Sequence, residues 1–402
     1  MLIDLPEAQR LVSANVKPLA TNVLPLAEAL FRTLAEPICA DTDDPPFDRS
    51  VMDGFAVRAA DVATVPTKLR IVGHVAAGSE TDKRLGPGEA MQINTGAPIP
   101  RAADAVVRVE HTETEGTEVS INERVVAGKF IARRATNVAA GSTVLQAGSV
   151  LTPLNVGVAA TAGASLVKVY RRPTVAILAT GDELVDVDRK PTGAQIRNSN
   201  EYLLRALIQA AHVEAVPLGV TGDDPVALRR SIQEGLACDM LCITGGISMG
   251  AFDCVPDVLT ECGATFHFRK LAIKPGRPTI FAGMPDGTLI FALPGNPASA
   301  FVAFELLVRP ALAALQGRPG DIPLSTAATL RGVLPATTNR QTYIPARATP
   351  GSNGDLEAYP LPWHGSGDSV GMAGANALIV RPPDSNPVED AGAVSILLLD
   401  RL

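Results

Sequence analysis

Four short apolar runs, 175–179, 215–220, 240–243 and 289–292, alternate with helical patterns at 203–211, 227–236 and 298–315. Parallel neighbours in a sheet need a crossover long enough to hold a helix, and strands covered by helices on both faces read as unbroken apolar stretches. The alternation therefore predicts an α/β domain with a doubly wound, largely parallel sheet. Open sheets of this kind bind ligands beyond the carboxyl ends of their strands. The loops leaving the four runs are where function should be sought.

The most distinctive loop is Thr244-Gly-Gly-Ile-Ser-Met-Gly250, followed by Asp253. Gly245, Gly246 and Gly250 permit positive φ or close approach of the backbone to a ligand, and Ser248 and Asp253 add a hydroxyl and a carboxylate. Residues 246–250 also spell G-x-S-x-G, the pattern of a nucleophile elbow, which makes a serine hydrolase using Ser248 an alternative from another functional class. An elbow needs a helix beginning at the serine, whereas the next helical pattern starts near Val255. His267 lies in a strand-like segment, His364 is remote in sequence, and no His-Gly-Gly motif is present.

Three further loops carry polar groups. Thr180-Gly-Asp-Glu183 places Asp182 and Glu183 after the first apolar run, where a hard cation or a donor-rich ligand would relieve the repulsion of two carboxylates. Thr221-Gly-Asp-Asp-Pro225 offers Asp223 and Asp224 either as metal ligands or as caps for the next helix. Leu293-Pro-Gly-Asn-Pro-Ala-Ser299 brings Pro294, Gly295, Asn296 and Pro297 to the start of a long helix, as binding groups or as a stiff turn. In Lys270-Leu-Ala-Ile-Lys-Pro-Gly-Arg-Pro278, the bend at Pro275-Gly276 sets Lys274 and Arg277 on either side of a turn, an arrangement suited to an oxyanion. Together these groups indicate a phosphorylated ligand handled with Mg²⁺.

Outside this region, residues 4–36 carry helical spacing, with Asp4 as a possible N-cap and a second amphipathic run at 26–34. Short β-rich runs at 69–75, 105–109 and 119–126 suggest a mostly β insertion, and a helix is expected near 155–162. Past residue 320 the pattern of short strands and Gly/Pro turns predicts a C-terminal β-barrel. The expected division is 1–46 with 138–170 as a discontinuous N-terminal helical and linker subdomain, 47–137 as the β insertion, 171–317 as the α/β domain and 321–402 as the barrel. Net charge −7 argues against a general nucleic-acid binder. No apolar stretch reaches the ~18 residues of a membrane span and Met1-Leu-Ile-Asp4 is not a signal start, so a cytoplasmic, non-membrane protein is expected. Five cysteines without paired C-x-x-C spacing favour reduced thiols over disulfides or zinc.

Six motifs then occur in a telling order: Pro46-Phe-Asp-Arg-Ser-Val-Met-Asp-Gly-Phe-Ala-Val57, Asn94-Thr-Gly-Ala-Pro98, Thr180-Gly-Asp-Glu-Leu184, the loop 244–253, Lys274-Pro-Gly-Arg-Pro278 and Leu293-Pro-Gly-Asn-Pro297. Over nearly its whole length the chain resembles the MoeA family of molybdopterin molybdenumtransferases, related to the E domain of gephyrin and of its plant counterpart. The resemblance implies molybdenum cofactor biosynthesis: Mg²⁺-dependent insertion of molybdate into adenylylated molybdopterin with loss of AMP. It implies a homodimer whose active site combines the α/β domain of one subunit with the β insertion of the other. It also implies contact with the upstream molybdopterin adenylyltransferase and with downstream molybdoenzyme maturation factors. Asp182, Glu183, Ser248 and Asp253 would line the pterin and nucleotide pocket, Lys270 and Lys274 would sit near phosphates or oxyanion, and Asp53 and Thr95 would be the insertion's contribution. A molybdopterin carrier or a scaffold without insertase activity is the alternative within the family.

Three stretches depart from the family pattern. Arg133-Arg-Ala-Thr-Asn137 stands where Gly-Glu-Asp commonly follows paired arginines, Tyr343-Ile-Pro345 where an arginine closes the triplet, and Gly371 where serine is common. The usual oxyanion contact of the C-terminal domain is then expected to be weak, or rebuilt by Arg340, Arg347, Ser366 or Ser369.

Overall fold

The computed structural model describes residues 2–79, 82–247, 254–318, 324–352 and 354–399. The chain forms two compact units, one of Met1–Asn22, Phe31–Ala35 and Lys168–Leu402, the other of Val23–Leu30 and Glu36–Val167. The segment 1–46 is thus divided between the units.

In the first unit, helix α1 (Leu5–Asn15) is followed by the central sheet and its helices: β1 (Thr174–Thr180), α2 (Ser199–Ala210), β2 (Glu214–Thr221), α3 (Pro225–Gly235), β3 (Met240–Thr244), α4 (Val255–Glu261), β4 (Thr265–Phe268), β5 (Ile280–Gly283) and β6 (Leu289–Leu293). The sheet runs β2-β1-β3-β6-β5-β4. Pairings β1–β2, β1–β3 and β3–β6 are parallel, and β5 and β4 add an antiparallel edge. Strands β1, β3 and β6 are buried along nearly their whole length, as their unbroken apolar sequences require. Local chemistry sets the helix starts: Asp4 and Asp224 each accept a backbone N–H three residues on, with proline in the first turn.

Helix α1 packs its buried Leu5, Ala8 and Val12 into the same core as Val175, Ile177, Phe291 and Leu307. The helix expected over 26–34 is reduced to the 3-10 turn Leu26–Glu28, because Phe31 takes φ 59, which ends any right-handed helix. The apolar run 298–315 forms Pro297–Ala303, a π-helical turn Phe304–Val308 and Arg309–Leu315. By length and composition alone this helix could cross a membrane, but 83% of it is buried inside the protein. Gln9 Nε2 donates to the Leu306 carbonyl at 3.2 Å, meeting an acceptor within the π turn.

Past residue 323 five strands close a barrel: Gln341–Pro350, Leu356–Pro360, Ser325–Leu330, Ala393–Leu398 and Ala377–Arg381, with the last pairing back to the first. The short strand Ile273–Lys274 adds in parallel to Gln341–Thr342, tying the cationic segment to the barrel.

The second unit is built on a six-stranded sheet, ordered Ala105–Arg108, Gly54–Val57, Glu89–Ile93, Thr67–Val75, Glu118–Ile121 and Thr112–Glu115. The expected helix near 155–162 is Pro153–Thr161, capped by the Thr152 hydroxyl.

Candidate functional site

A polar cleft of about 750 Å³ opens where β1, β3 and β6 end. Its walls are the loops after these strands, Asp223 after β2, the segment leading into α2, and Gly367 and Ser369 of the C-terminal domain. The glycines of the β3 loop are required sterically. Gly245 has φ 92 and a Cβ there would lie 2.4 Å from the Thr180 carbonyl oxygen; Gly246 has φ 61 and its Cβ would meet Thr180 Oγ1 at 2.7 Å.

Asn200, in the first turn of α2 and only 7% exposed, ties the loops together. Its Nδ2 donates to Thr244 Oγ1 and to the Gly295 carbonyl, each at 2.7 Å, and Thr244 Oγ1 in turn donates to the Pro294 carbonyl at 3.5 Å. Asn200 Oδ1 and Thr180 Oγ1 are buried with no hydrogen-bond partner among the described residues. Both residues line the cleft.

The sequence candidates separate by position. Thr180, Gly181, Glu183, Asp223, Gly245, Gly246, Pro294, Gly295, Asn296 and Pro297 line the cleft. Asp182 instead accepts the backbone N–H of Asp223 at 3.2 Å, and Asp224 caps α3 through Ala227 N–H at 2.9 Å. No group of three or more His, Cys, Asp or Glu among the described residues is disposed to hold a metal ion. Of the four carboxylates expected at a metal, Glu183 and Asp223 line the cleft, whereas Asp182 and Asp224 each accept a backbone N–H beside it. Ser248, Gly250 and Asp253 lie outside the described residues. As to the hydrolase alternative, α4 begins only at Val255. His267 rests against Phe281, His364 bonds to Asp368, and no histidine of the described residues lines the cleft.

Beside the cleft, and sharing Pro278, Pro294 and Asn296 with it, is a second cavity of about 480 Å³ lined by Lys274, Arg277, Arg340, Ser299, Trp363 and Ser366. Three cations face one cavity. Asn296 Nδ2 donates to Ser366 Oγ at 2.9 Å, which fixes the C-terminal loop beside it. Of the residues expected to rebuild the oxyanion contact, Arg340 and Ser366 line this cavity and Ser369 the cleft, whereas Arg347 pairs with Tyr359 in the barrel. Lys270 pairs with Leu2 in a short two-stranded sheet and lines neither cavity.

Sequence reading missed Arg197, Asn198 and Asn200, all on the cleft wall. A signal was available, since Asn198 and Glu201 form a reciprocal cap, Asn198 Oδ1 accepting from Glu201 N–H and its Nδ2 donating to Glu201 Oε2 at 2.8 Å. That motif marks where α2 starts and hence which residues face the strand ends.

In the second unit, Asp53 and Thr95 are brought together. Asp53 Oδ1 accepts from Thr95 N–H at 3.0 Å and from Asn94 Nδ2 at 3.1 Å, and Oδ2 accepts from the Thr95 hydroxyl at 3.1 Å. The Thr95 amide, then the Asn94 amide and the Thr95 hydroxyl, hold the Asp53 carboxyl below the usual range. At the departure from the family pattern, Asn137 donates to Asp44 at 2.9 Å, and the paired arginines are engaged by Asp48 and Asp43.

An α/β domain with a glycine-walled polar cleft at its strand ends, a closed barrel and a separate β unit together define a modular α/β protein with a ligand cleft at the strand ends. Residues 3–163 match the MoeA N-terminal region (domain I and II), 176–314 the probable molybdopterin binding domain, and 327–399 the MoeA C-terminal region (domain IV). The chain is 35% identical over 408 residues to the molybdopterin molybdenumtransferase of Bacillus subtilis (strain 168), covering 99% of this chain and 94% of that protein. It is 35% identical over 392 residues to the enzyme of that name from Nostoc sp. strain PCC 7120, covering 94% and 89%. A crystal structure of the molybdopterin biosynthesis MoeA protein from Pyrococcus horikoshii OT3 matches with a TM-score of 0.83 and 29% identity, over 99% of this chain and 100% of that one. The chain belongs to the molybdopterin molybdenumtransferase (MoeA) family, a family of transferases.

Proposed function

We propose that this protein inserts molybdate into adenylylated molybdopterin in molybdenum cofactor biosynthesis, with release of AMP. The observation that carries the reading is the adjacency of the two cavities: a large polar cleft with glycine backbone in its wall, next to a smaller one lined by Lys274, Arg277 and Arg340. The cleft suits a ligand bearing phosphates and many polar edges. The cationic cavity suits a small oxyanion, and its position beside the cleft holds two anionic reactants close together, which lowers both the entropic and the electrostatic cost of their meeting.

Glu183 and Asp223 are the cleft carboxylates that would hold Mg²⁺. Two carboxylates are an appropriate number, since Mg²⁺ is usually held by one or two of them together with substrate phosphates. When bound it would neutralise phosphate charge, while Asn200 and the glycine loops fix the shape of the cleft. The reading also includes a homodimer and exchange with the adenylyltransferase that supplies the substrate and with maturation factors that receive the product.

The decisive experiment incubates the protein with adenylylated molybdopterin, Mg²⁺ and molybdate and follows AMP. Molybdate-dependent AMP release is expected. Tight pterin binding without release would identify a carrier instead. Omitting Mg²⁺ tests the metal, and light scattering at micromolar concentration tests the dimer.

A further inference from the structure

Asp53 is held by a chain of contacts that extends one residue further than its own partners. The Asn94 side chain that donates to Asp53 Oδ1 has its carbonyl oxygen 2.6 Å from His74 Nε2. An ionised carboxylate only accepts, so the Asn94 amide must turn its NH₂ toward Asp53 and its oxygen toward His74. His74 must then carry its proton on Nε2. Hydrogen-bonding capacity thus orders three side chains in one direction, from His74 through Asn94 to Asp53.

A second observation makes this arrangement specific. His74 lies on strand Thr67–Val75, whose parallel pairing with Glu89–Ile93 shifts register between Ile71 and His74, across Gly73. A register shift of this kind re-aims the side chains that follow it. Beyond it His74 is partnered with Gln92, and Asn94 N–H donates to the Val75 carbonyl at 3.0 Å, fixing Asn94 beside the end of the same strand. His74, Asp53 and Thr95 are exposed and Asn94 is half-buried, so water could satisfy most of these groups separately. Their ordering by one another is the feature that calls for a reason.

We propose that His74 is a positioning residue that acts through Asn94 to fix the Asp53 carboxylate, with both Asn94 and Thr95 committed to it and with Oδ2 carrying a single donor. The inference rests on the reading that Asp53 serves the proposed transferase reaction. His74 touches no reacting atom in this account; it prevents the Asn94 amide from turning its oxygen to Asp53. Without it the carboxylate loses a donor and gains rotational freedom.

The test compares His74→Phe, which removes the donor, with His74→Gln, whose amide N–H can replace Nε2–H. Loss of one oriented hydrogen bond corresponds to a fall in kcat of about three- to tenfold. His74→Phe is expected to show it with KM and melting temperature little changed, and with the acid limb of the pH profile moved to higher pH. His74→Gln is expected to restore both the rate and the limb. A ¹³C-carboxyl titration of Asp53 provides a readout independent of turnover, and its midpoint should rise in His74→Phe and return in His74→Gln. An unmoved midpoint in His74→Phe, or no rescue by His74→Gln, overturns the proposal. Wild-type turnover in Asp53→Asn, with the midpoint still shifted by His74→Phe, would instead remove the catalytic reading of Asp53 and leave the positioning chain standing.

Discussion

Asn200 gives the sharpest test of how the cleft is held. Its Nδ2 makes two bonds of 2.7 Å, to Thr244 Oγ1 and to the Gly295 carbonyl, from a site only 7% exposed. In Asn200→Ala both are lost. Each is worth about 0.5–1.5 kcal/mol, so a loss of about 1–3 kcal/mol is expected. Asn200→Asp should be worse at neutral pH than Asn200→Ala, since a carboxylate would face a carbonyl oxygen and a hydroxyl oxygen that already donates toward Pro294. The sign with pH follows: the introduced carboxyl has its folded-state pKa raised above the unfolded one, so the penalty is small in acid and grows as pH rises. Urea unfolding of the three proteins at pH 5 and pH 8, with unchanged m-values as the control for two-state behaviour, measures this. If Asn200→Asp matches the wild type at pH 8, the amide orientation and the loop-tying role of Asn200 are both wrong.

Gly245→Ala should cost about 3 kcal/mol or more and reduce pterin binding, because it combines φ 92 with a Cβ placed 2.4 Å from a backbone carbonyl; a correctly folded variant of wild-type stability would refute the steric argument. Glu183→Gln should lower turnover most at limiting Mg²⁺ without altering the melting temperature, whereas Asp182→Ala should lower stability by about 1 kcal/mol through loss of the bond from Asp223 N–H; reversal of that pattern would undo the assignment. Arg340→Met should raise half-saturation by molybdate and flatten its dependence on salt, since one of three cavity cations is removed; an unchanged salt slope would exclude Arg340 from the oxyanion contact. Burial pushes the Asp239 carboxyl up, but the Arg171 guanidinium and the Thr174 N–H and hydroxyl outweigh it and leave it below its ordinary value. Its contribution to stability is therefore complete above the unfolded-state pKa and is lost as pH falls through the acid range, so Asp239→Asn should narrow the gap between stability at pH 7 and at pH 3.

The double change Pro345→Arg with Gly371→Ser, suggested by the departures from the family pattern, is not a clean test of oxyanion binding. A Cβ at Gly371 would lie 2.7 Å from the Pro362 carbonyl and 2.5 Å from Asp368 Oδ2, and Pro345 is buried in the barrel. Glycine at 371 fits the local backbone here.

The sequence by itself determined the parallel part of the central sheet, because strands buried on both faces must be continuously apolar and helices between them must be amphipathic, and both periods are local properties of the chain; the antiparallel edge of β5 and β4 was not among its apolar runs. It determined the glycine loop, since positive φ at Gly245 and Gly246 is a demand that few other residues meet. It also located the helix start at Asp4 and narrowed a second to Asp223 or Asp224, where cap and proline are neighbours in sequence; the structure makes Asp224 the cap. Tertiary structure alone decided which carboxylates face the cleft. Asp182 and Glu183 are adjacent, yet one bonds to a neighbouring loop's backbone and the other lines the ligand site, a choice set by how two loops pack. It alone brought Arg340, from beyond residue 323, to Lys274 and Arg277, because the pairing of Ile273–Lys274 with Gln341–Thr342 joins segments distant in sequence. Asn200 and His74 were illegible for the same reason: each acts through its side chain on partners 20 or more residues away, and no local pattern records such a contact.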